Sequence, residues 1–396
     1  MTKNRIDKDT LPVFPIPEQY KDADDALKGK VYWHLKDIGL NENEDYVRRV
    51  EKELSMVRER NCANYFLLVS DLCDKVWEQG GVVGPGRGTS ASLLINWLLG
   101  ITEVNPMDFG LVPERFFPYN IDMLPCICID FDGKGYRIAV SYCEQLKPNF
   151  YKLDVLRTAA MADVATLDDK ETLELFARGG TDGVFQFDSE GIMEWLRLIQ
   201  PDNFEQLVAL YEMYCHTPGE RLPLYSHLKK EQSREIIDNP FTDLHGITDE
   251  TFGMIIYREQ LMQIVSTVAS FSHEDQRTLC MFAGPYRVDI LDELGKKFLD
   301  GGLANGYDKN ALMSFWDGFV RSDNAACLIN KAHCVSYTLT AYRCAYLKAH
   351  EPALFYNTLY GSLKRDDDRK ALYDDALKHG LVFIEKTGEF YTVIDD

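Results

Sequence analysis

Two neighbouring stretches carry residue types suited to chemistry. The first is Gly84-Pro85-Gly86-Arg87-Gly88-Thr89-Ser90, directly after the apolar pair Val82 and Val83. It predicts a glycine-rich turn opening a helix over residues 92–99. Backbone N–H groups at a helix start, beside a guanidinium and a hydroxyl, suit a phosphate. Gly86 and Gly88 shape such a turn, and Gly88 lets the backbone approach a ligand closely. Arg87 pairs with phosphate oxygens in that reading, and Thr89 donates its hydroxyl. The second stretch is Leu124-Pro125-Cys126-Ile127-Cys128-Ile129-Asp130-Phe131. Its alternation predicts a strand that turns residues 126, 128 and 130 to one face. A phosphate cradle followed by a one-faced row of potential metal ligands points to chemistry on a nucleoside triphosphate.

These residues, with Leu99-Gly100-Ile101-Thr102, Asn105-Pro106 and Glu114-Arg115-Phe116, give the chain a resemblance to the bacterial DNA polymerase III alpha subunit. That family comprises the C-family replicative polymerases. The resemblance implies a turn that holds the incoming deoxynucleoside triphosphate and a Pro-Asp-x-Asp-x-Asp-Phe strand with two metal-binding aspartates. Here those two positions are Cys126 and Cys128. The segment around Lys152 and Asp154 resembles the family's Lys-Phe-Asp-Phe-Leu stretch, which supplies a third catalytic aspartate. Lys152 would then neutralise triphosphate charge. Asn330-Lys331-Ala332-His333 with Tyr337 resembles the family's Asn-Lys-Ser-His-x-x-x-Tyr, which implies a nucleotide or template contact for Asn330, Lys331 and His333. The paired arginines of the family's fingers are Cys280 and Met281 here, and its Arg-Pro-Gly-Pro has become Thr217-Pro218-Gly219.

Magnesium prefers hard oxygen ligands, whereas a thiol is soft and mostly protonated near neutral pH. Three readings of Cys126 and Cys128 stand open at this point. They fill a former metal site as small apolar residues. Alternatively, the carboxylate pair has moved along to Asp130 and Asp132, working with Asp154 on Mg2+. In the third, both thiols join Asp130 or Asp154 around Zn2+. On the catalytic readings, Asp154, Asp130, Cys126 and Cys128 line the reacting centre.

Positioning these groups requires a scaffold. Val47, Val50, Leu54 and Val57 predict an amphipathic helix over 45–60, and Leu68, Leu72 and Val76 predict another over 65–77. Residues 137–143 alternate weakly and predict a strand, and so do residues 150–158. From Leu167 onward the pattern becomes mainly helical, including a helix over 203–214 that Thr217-Pro218-Gly219 breaks. Residues 229–243 are charged and predict a loop. The expected fold is α/β with a helical majority: a nucleotidyltransferase-like palm sheet over residues 124–156, then helical thumb and fingers. The expected divisions are a lead-in (1–44), a palm (45–160), a thumb-like region (161–245), a fingers-like region (246–363) and the start of a C-terminal segment (364–396). The resemblance covers residues 45–385 and lacks the family's long insertion between the metal strand and the Asp154 segment.

The whole chain narrows the function classes. Its 396 residues, 45% of them hydrophobic, allow about two to three packed units. The formal net charge of −20 argues against nucleic-acid binding by bulk charge, so any DNA contact needs a local groove. No apolar run approaches the ~20 residues of a membrane span. Ten cysteines without regular spacing point to free thiols in a reducing cytoplasm. Two functions remain in view. One is template-directed DNA synthesis on primer-template DNA. The other is a catalytically inactive, polymerase-derived protein that binds DNA or replication proteins as a regulator or decoy.

Overall fold

Apolar residues at helical spacing build most of the chain. A computed structural model describes residues 11–117, 123–146, 164, 166–216, 220–231, 237–362, 366–384 and 387–392. The chain divides into two compact units, Met1–Thr158 and Ala159–Asp396.

In the first unit, α1 (Ala23–Asp37) starts at Asp22, whose carboxylate accepts from the Asp25 amide at 2.9 Å. Leu27, Val31 and Leu35 recur every four residues and are buried, so a segment assigned to the lead-in packs as a core helix. Helix α2 (Glu44–Glu59) buries Val50, Leu54 and Val57 as the stripe predicts, with Asn43 as its cap. Helix α3 (Ala63–Glu78) buries Phe66, Leu68, Leu72 and Val76. After the glycine turn comes a short α4 (Leu94–Leu98), and the unit continues to α5 (Gly133–Leu146).

Helix α5 replaces the strand expected over 137–143. Ala139 and Cys143 are buried, and Ile138 and Tyr142 are half-buried against the same core. That i, i+1, i+4, i+5 spacing belongs to a helix, and without a β-branched run the weak alternation did not prevail. Of the palm sheet expected over 124–156, the described residues reach only to 146. Among the described residues, the 124–131 stretch makes two isolated antiparallel bridges, Val83 to Phe131 and Arg87 to Cys128. The strand expected over 150–158, with Lys152 and Asp154, lies outside the described residues.

The second unit is helical. It runs through α6 (Lys170–Ala177), α7 (Glu190–Ile199), α8 (Phe204–His216), α9 (Arg221–Glu231), α10 (Arg258–Ala269), α11 (His273–Phe282), α12 (Val288–Ala304), α13 (Lys309–Phe315) and α14 (Asp323–Ala326). It ends with α15 (Lys331–His350), α16 (Pro352–Ser362), α17 (Asp366–Lys378) and an antiparallel pair, β1 (Leu381–Ile384) and β2 (Glu389–Thr392). The predicted 203–214 helix is α8, and α9 takes the first residues of the expected 229–243 loop. Phe241, Phe271, Phe298, Phe315, Trp316 and Phe319 form an aromatic core, with Phe298 stacked 5.1 Å from Trp316. Near the C-terminus the buried Lys348 ammonium donates to Asp375 at 2.7 Å, and the Tyr356 hydroxyl donates to the same carboxylate at 2.5 Å. Burial lowers the Lys348 pKa, and Asp375 opposes that. No helix among the described residues is long and apolar enough to cross a membrane.

Candidate functional site

The glycine turn is held by backbone pairing with the cysteine strand. The Gly84 amide donates to the Asp130 carbonyl at 2.7 Å, and the Arg87 amide donates to the Cys128 carbonyl at 3.3 Å. Between them, Gly86 sits at φ +92°, where a Cβ would stand 2.5 Å from the Thr102 methyl carbon. Gly88 sits at φ +57° with open space in front of it. Both positions need glycine for backbone reasons, and at Gly88 the space supports a close approach.

The segment after the turn differs from the predicted helix over 92–99. A short 3-10 turn, Gly88–Ser92, leads to α4. The amides of Leu94 and Ile95, at the start of α4, donate to the carboxylate of Glu53 at 3.0 and 2.9 Å. Glu53 lies on the buried face of α2 and pairs with Arg49 Nε at 2.5 Å. Arg49 also donates to the Ser92 and Leu111 carbonyls, at 2.7 and 2.9 Å. The favourable anion position at this helix start is thus occupied by the protein's own glutamate. Burial pushes the Glu53 pKa up, while Arg49 and the two amides oppose the shift. Sequence reasoning missed Glu53 and Arg49. The available signal was a charged residue inside the apolar stripe Val50–Leu54–Val57.

The strand alternates as predicted. Ile127, Ile129 and Phe131 are fully buried on the core side. Cys126 and Cys128 are half-buried on the other face, with sulfurs 3.4 Å apart. The strand is tied at two amides: Ile127 N donates to the Tyr65 hydroxyl at 3.3 Å, and Cys128 N donates to Ser90 Oγ at 2.8 Å. Tyr65 is another residue missed from sequence. Its pKa is raised, chiefly by burial. Asp130 is 3% exposed, and its carboxylate meets Arg87 Nε at 2.6 Å.

Asp132 does not face this group. Its Oδ1 accepts from Gly135 N at 2.6 Å and Val82 N at 2.9 Å, so it caps α5 and ties it to the strand before the turn. Asp132→Ala is expected to cost about 1–2 kcal/mol of stability. Urea unfolding checks this, and a variant indistinguishable from wild type would refute the capping role.

The remaining predicted residues fall elsewhere. Asn330 stands at the start of α15 in the second unit, followed by Lys331 and His333. Lys331 is buried, with its ammonium bonded to Glu250 at 2.7 and 2.8 Å and its amide donating to Glu259 at 2.8 Å. These bonds make it a structural ion pair within its unit. The His333 ring lies 4.3 Å from that of Tyr337. Cys280 is buried, whereas Met281 is 59% exposed. Thr89 belongs to the 3-10 turn. Thr217, Pro218 and Gly219 lie outside the described residues.

Among the described residues, the donors around the turn do not fit magnesium, and Asp154 lies outside them. Two of these donors are thiols, Asp130 is committed to Arg87, and Asp132 is committed to two amides. Among the described residues no group of three or more His, Cys, Asp or Glu side chains could hold a metal ion, so the zinc reading gains no third ligand there.

Known proteins share these segments. Residues 25–204 match the family described as the bacterial DNA polymerase III alpha NTPase domain. Residues 153–306 match the bacterial DNA polymerase III alpha subunit finger domain. The DNA polymerase III subunit alpha of Staphylococcus epidermidis is 23% identical over 516 aligned positions, covering 94% of this chain and 48% of that protein. The DNA polymerase III subunit alpha of Staphylococcus aureus is 23% identical over 514 positions, covering 92% of this chain and 48% of that protein. The chain therefore spans about half the length of these relatives. The alignments are longer than the 396-residue chain itself, so the relatives carry internal residues that have no counterpart here. Overlapping matches to two domains of one subunit, together with these relatives, make the chain a DNA polymerase III alpha-like protein, shortened within the aligned region.

Proposed function

We propose that this chain is a polymerase-derived protein that has lost magnesium-dependent nucleotidyl transfer and works by binding DNA or replication proteins. The observation that carries this reading is the Arg87–Asp130 contact, 2.6 Å long and shielded from water. It engages both the guanidinium that a triphosphate would need and the carboxylate that a metal would need. Removing one partner from such a buried pair costs about 3–5 kcal/mol. A ligand of either sign would have to supply that energy before any chemistry began. The thiols at 126 and 128 remove the other hard ligands.

The competing reading is an active enzyme that adds a deoxynucleotide to a primer 3′ end, with Asp154 and Asp130 on magnesium. The backbone geometry of the turn and strand favours it. Primer extension by the purified chain, with Mg2+ and separately with Mn2+, separates the two. We expect no extension above the no-protein control. Robust extension that Asp154→Ala abolishes would overturn the proposal. Primer-template DNA is the first partner to test for binding. With a charge of −20 and only a local groove to neutralise phosphates, binding should be modest and should weaken as salt rises.

A further inference from the structure

The thiols in the former ligand row have a chemistry of their own. Cys126 and Cys128 are separated by one residue on an extended strand, share a face, and hold their sulfurs 3.4 Å apart. Both are half-buried, so a small reagent can reach them. The other cysteines with some exposure, Cys215 and Cys327, stand in the second unit. We propose that Cys126 and Cys128 are a modification site that closes to an intramolecular disulfide by exchange with a low-molecular-weight disulfide, and that closure loosens the glycine turn.

The step balances without any group held by the protein. One cysteine, as thiolate, attacks a sulfur of oxidised glutathione and expels one glutathione thiolate. The second cysteine thiolate then attacks the protein sulfur of the mixed disulfide and expels the second glutathione. Two protein thiols are oxidised, one glutathione disulfide is reduced to two glutathiones, and the two thiol protons end on the glutathiones.

The coupling to the turn arises from strand geometry. Residues i and i+2 of an extended strand have Cα atoms about 6.6 Å apart. That is close to the ~6.8 Å upper limit for a disulfide, whose usual span is about 5.5–6 Å. Closure therefore shortens and bends the strand between 126 and 128. The bonds in its way are Cys128 N to Ser90 Oγ, Ile127 N to the Tyr65 hydroxyl, and Arg87 N to the Cys128 carbonyl. Two of these fasten the turn. Their opposition also makes the disulfide easy to reduce, as a reversible switch requires.

The test uses the full chain, reduced, desalted and exposed to oxidised glutathione, then alkylated and mapped by mass spectrometry. The expected product is the 126–128 peptide short of two hydrogens and carrying no glutathione, restored by dithiothreitol. Exposed Cys215 should carry a glutathione adduct, which shows that the reagent was active. In Cys128→Ser, glutathione should accumulate on Cys126 by about tenfold over wild type, because the resolving thiol acts at an effective concentration of millimolar or more. Hydrogen exchange at the amides of 87 and 128 should quicken on oxidation. A stable glutathione adduct on wild-type Cys126 or Cys128, or both thiols unreacted while Cys215 is modified, would overturn the site. Disulfide formation with exchange at 87 and 128 unchanged would overturn the coupling.

Discussion

Replacing both thiols by carboxylates, Cys126→Asp with Cys128→Asp, is expected to lower the melting temperature of the metal-free protein and to make it rise with magnesium. The new carboxylates would stand on the same face as Asp130, whose own charge is already matched by Arg87. Like charges about 6.6 Å apart repel by about 2–3 kcal/mol at an effective dielectric of about 20. Positions 126 and 128 are half-exposed, and water screens part of that. The net loss is about 1–2 kcal/mol, or about 2–8 °C for a unit of this size. Magnesium at 100 times its dissociation constant would return about 2.7 kcal/mol. Wild type should not respond, since thiols are poor partners for that ion. DNA synthesis is not expected to return with the ion, because Asp130 stays with Arg87 and Asp132 stays on the α5 cap. The measurement is thermal melting of both proteins with and without magnesium. A double variant whose melting is indifferent to magnesium would show that the face is no remnant of a metal centre. Stoichiometric zinc in the wild type, lost with either single cysteine change, would point to a soft metal site instead.

The parts of this site that could be read in the sequence are those set by local pattern. The stripe Val50–Leu54–Val57 announces α2, and the alternation of Ile127, Ile129 and Phe131 against Cys126 and Cys128 announces the strand and its two faces. The family motifs lie in their expected order, and the domain matches agree with them. Local pattern failed where it was weak. Residues 137–143 carry as good a helical period as an alternating one, and the Asp132 cap decides between them. The decisive contacts were hidden for a different reason. Arg87 and Asp130 are 43 residues apart, and Glu53 reaches amides 41 and 42 residues away. Neither partner's sequence neighbourhood encodes such a pairing. Only the fold brings a glutamate to the start of α4 and an aspartate to the arginine of the turn.

Glu53→Ala should be among the most damaging single changes in the first unit, for reasons that bear on the turn as well as on stability. Glu53 is fully buried and accepts from Arg49 Nε at 2.5 Å, Leu94 N at 3.0 Å and Ile95 N at 2.9 Å. Truncation leaves two buried amides without this acceptor and Arg49 without its carboxylate. The expected loss is about 3–5 kcal/mol, the range for breaking a buried ion pair from one side. At about 2–4 °C per kcal/mol this lowers the melting temperature by about 6–20 °C. Glu53→Gln keeps a carbonyl acceptor for the amides but loses the charge facing Arg49, so it should lie between alanine and wild type. Replacing both Arg49 and Glu53 by apolar residues should recover only part of the alanine loss, because the carbonyls of Ser92 and Leu111 would then lose Arg49 as their donor. Urea unfolding of the four proteins gives the comparison. The diagnostic readout is hydrogen exchange at residues 90–98, which should quicken in Glu53→Ala well below the denaturation midpoint, as the start of α4 frays. An alanine variant within about 0.5 kcal/mol of wild type, the range of ordinary surface substitutions, would mean that Glu53 does not organise the chain after the turn.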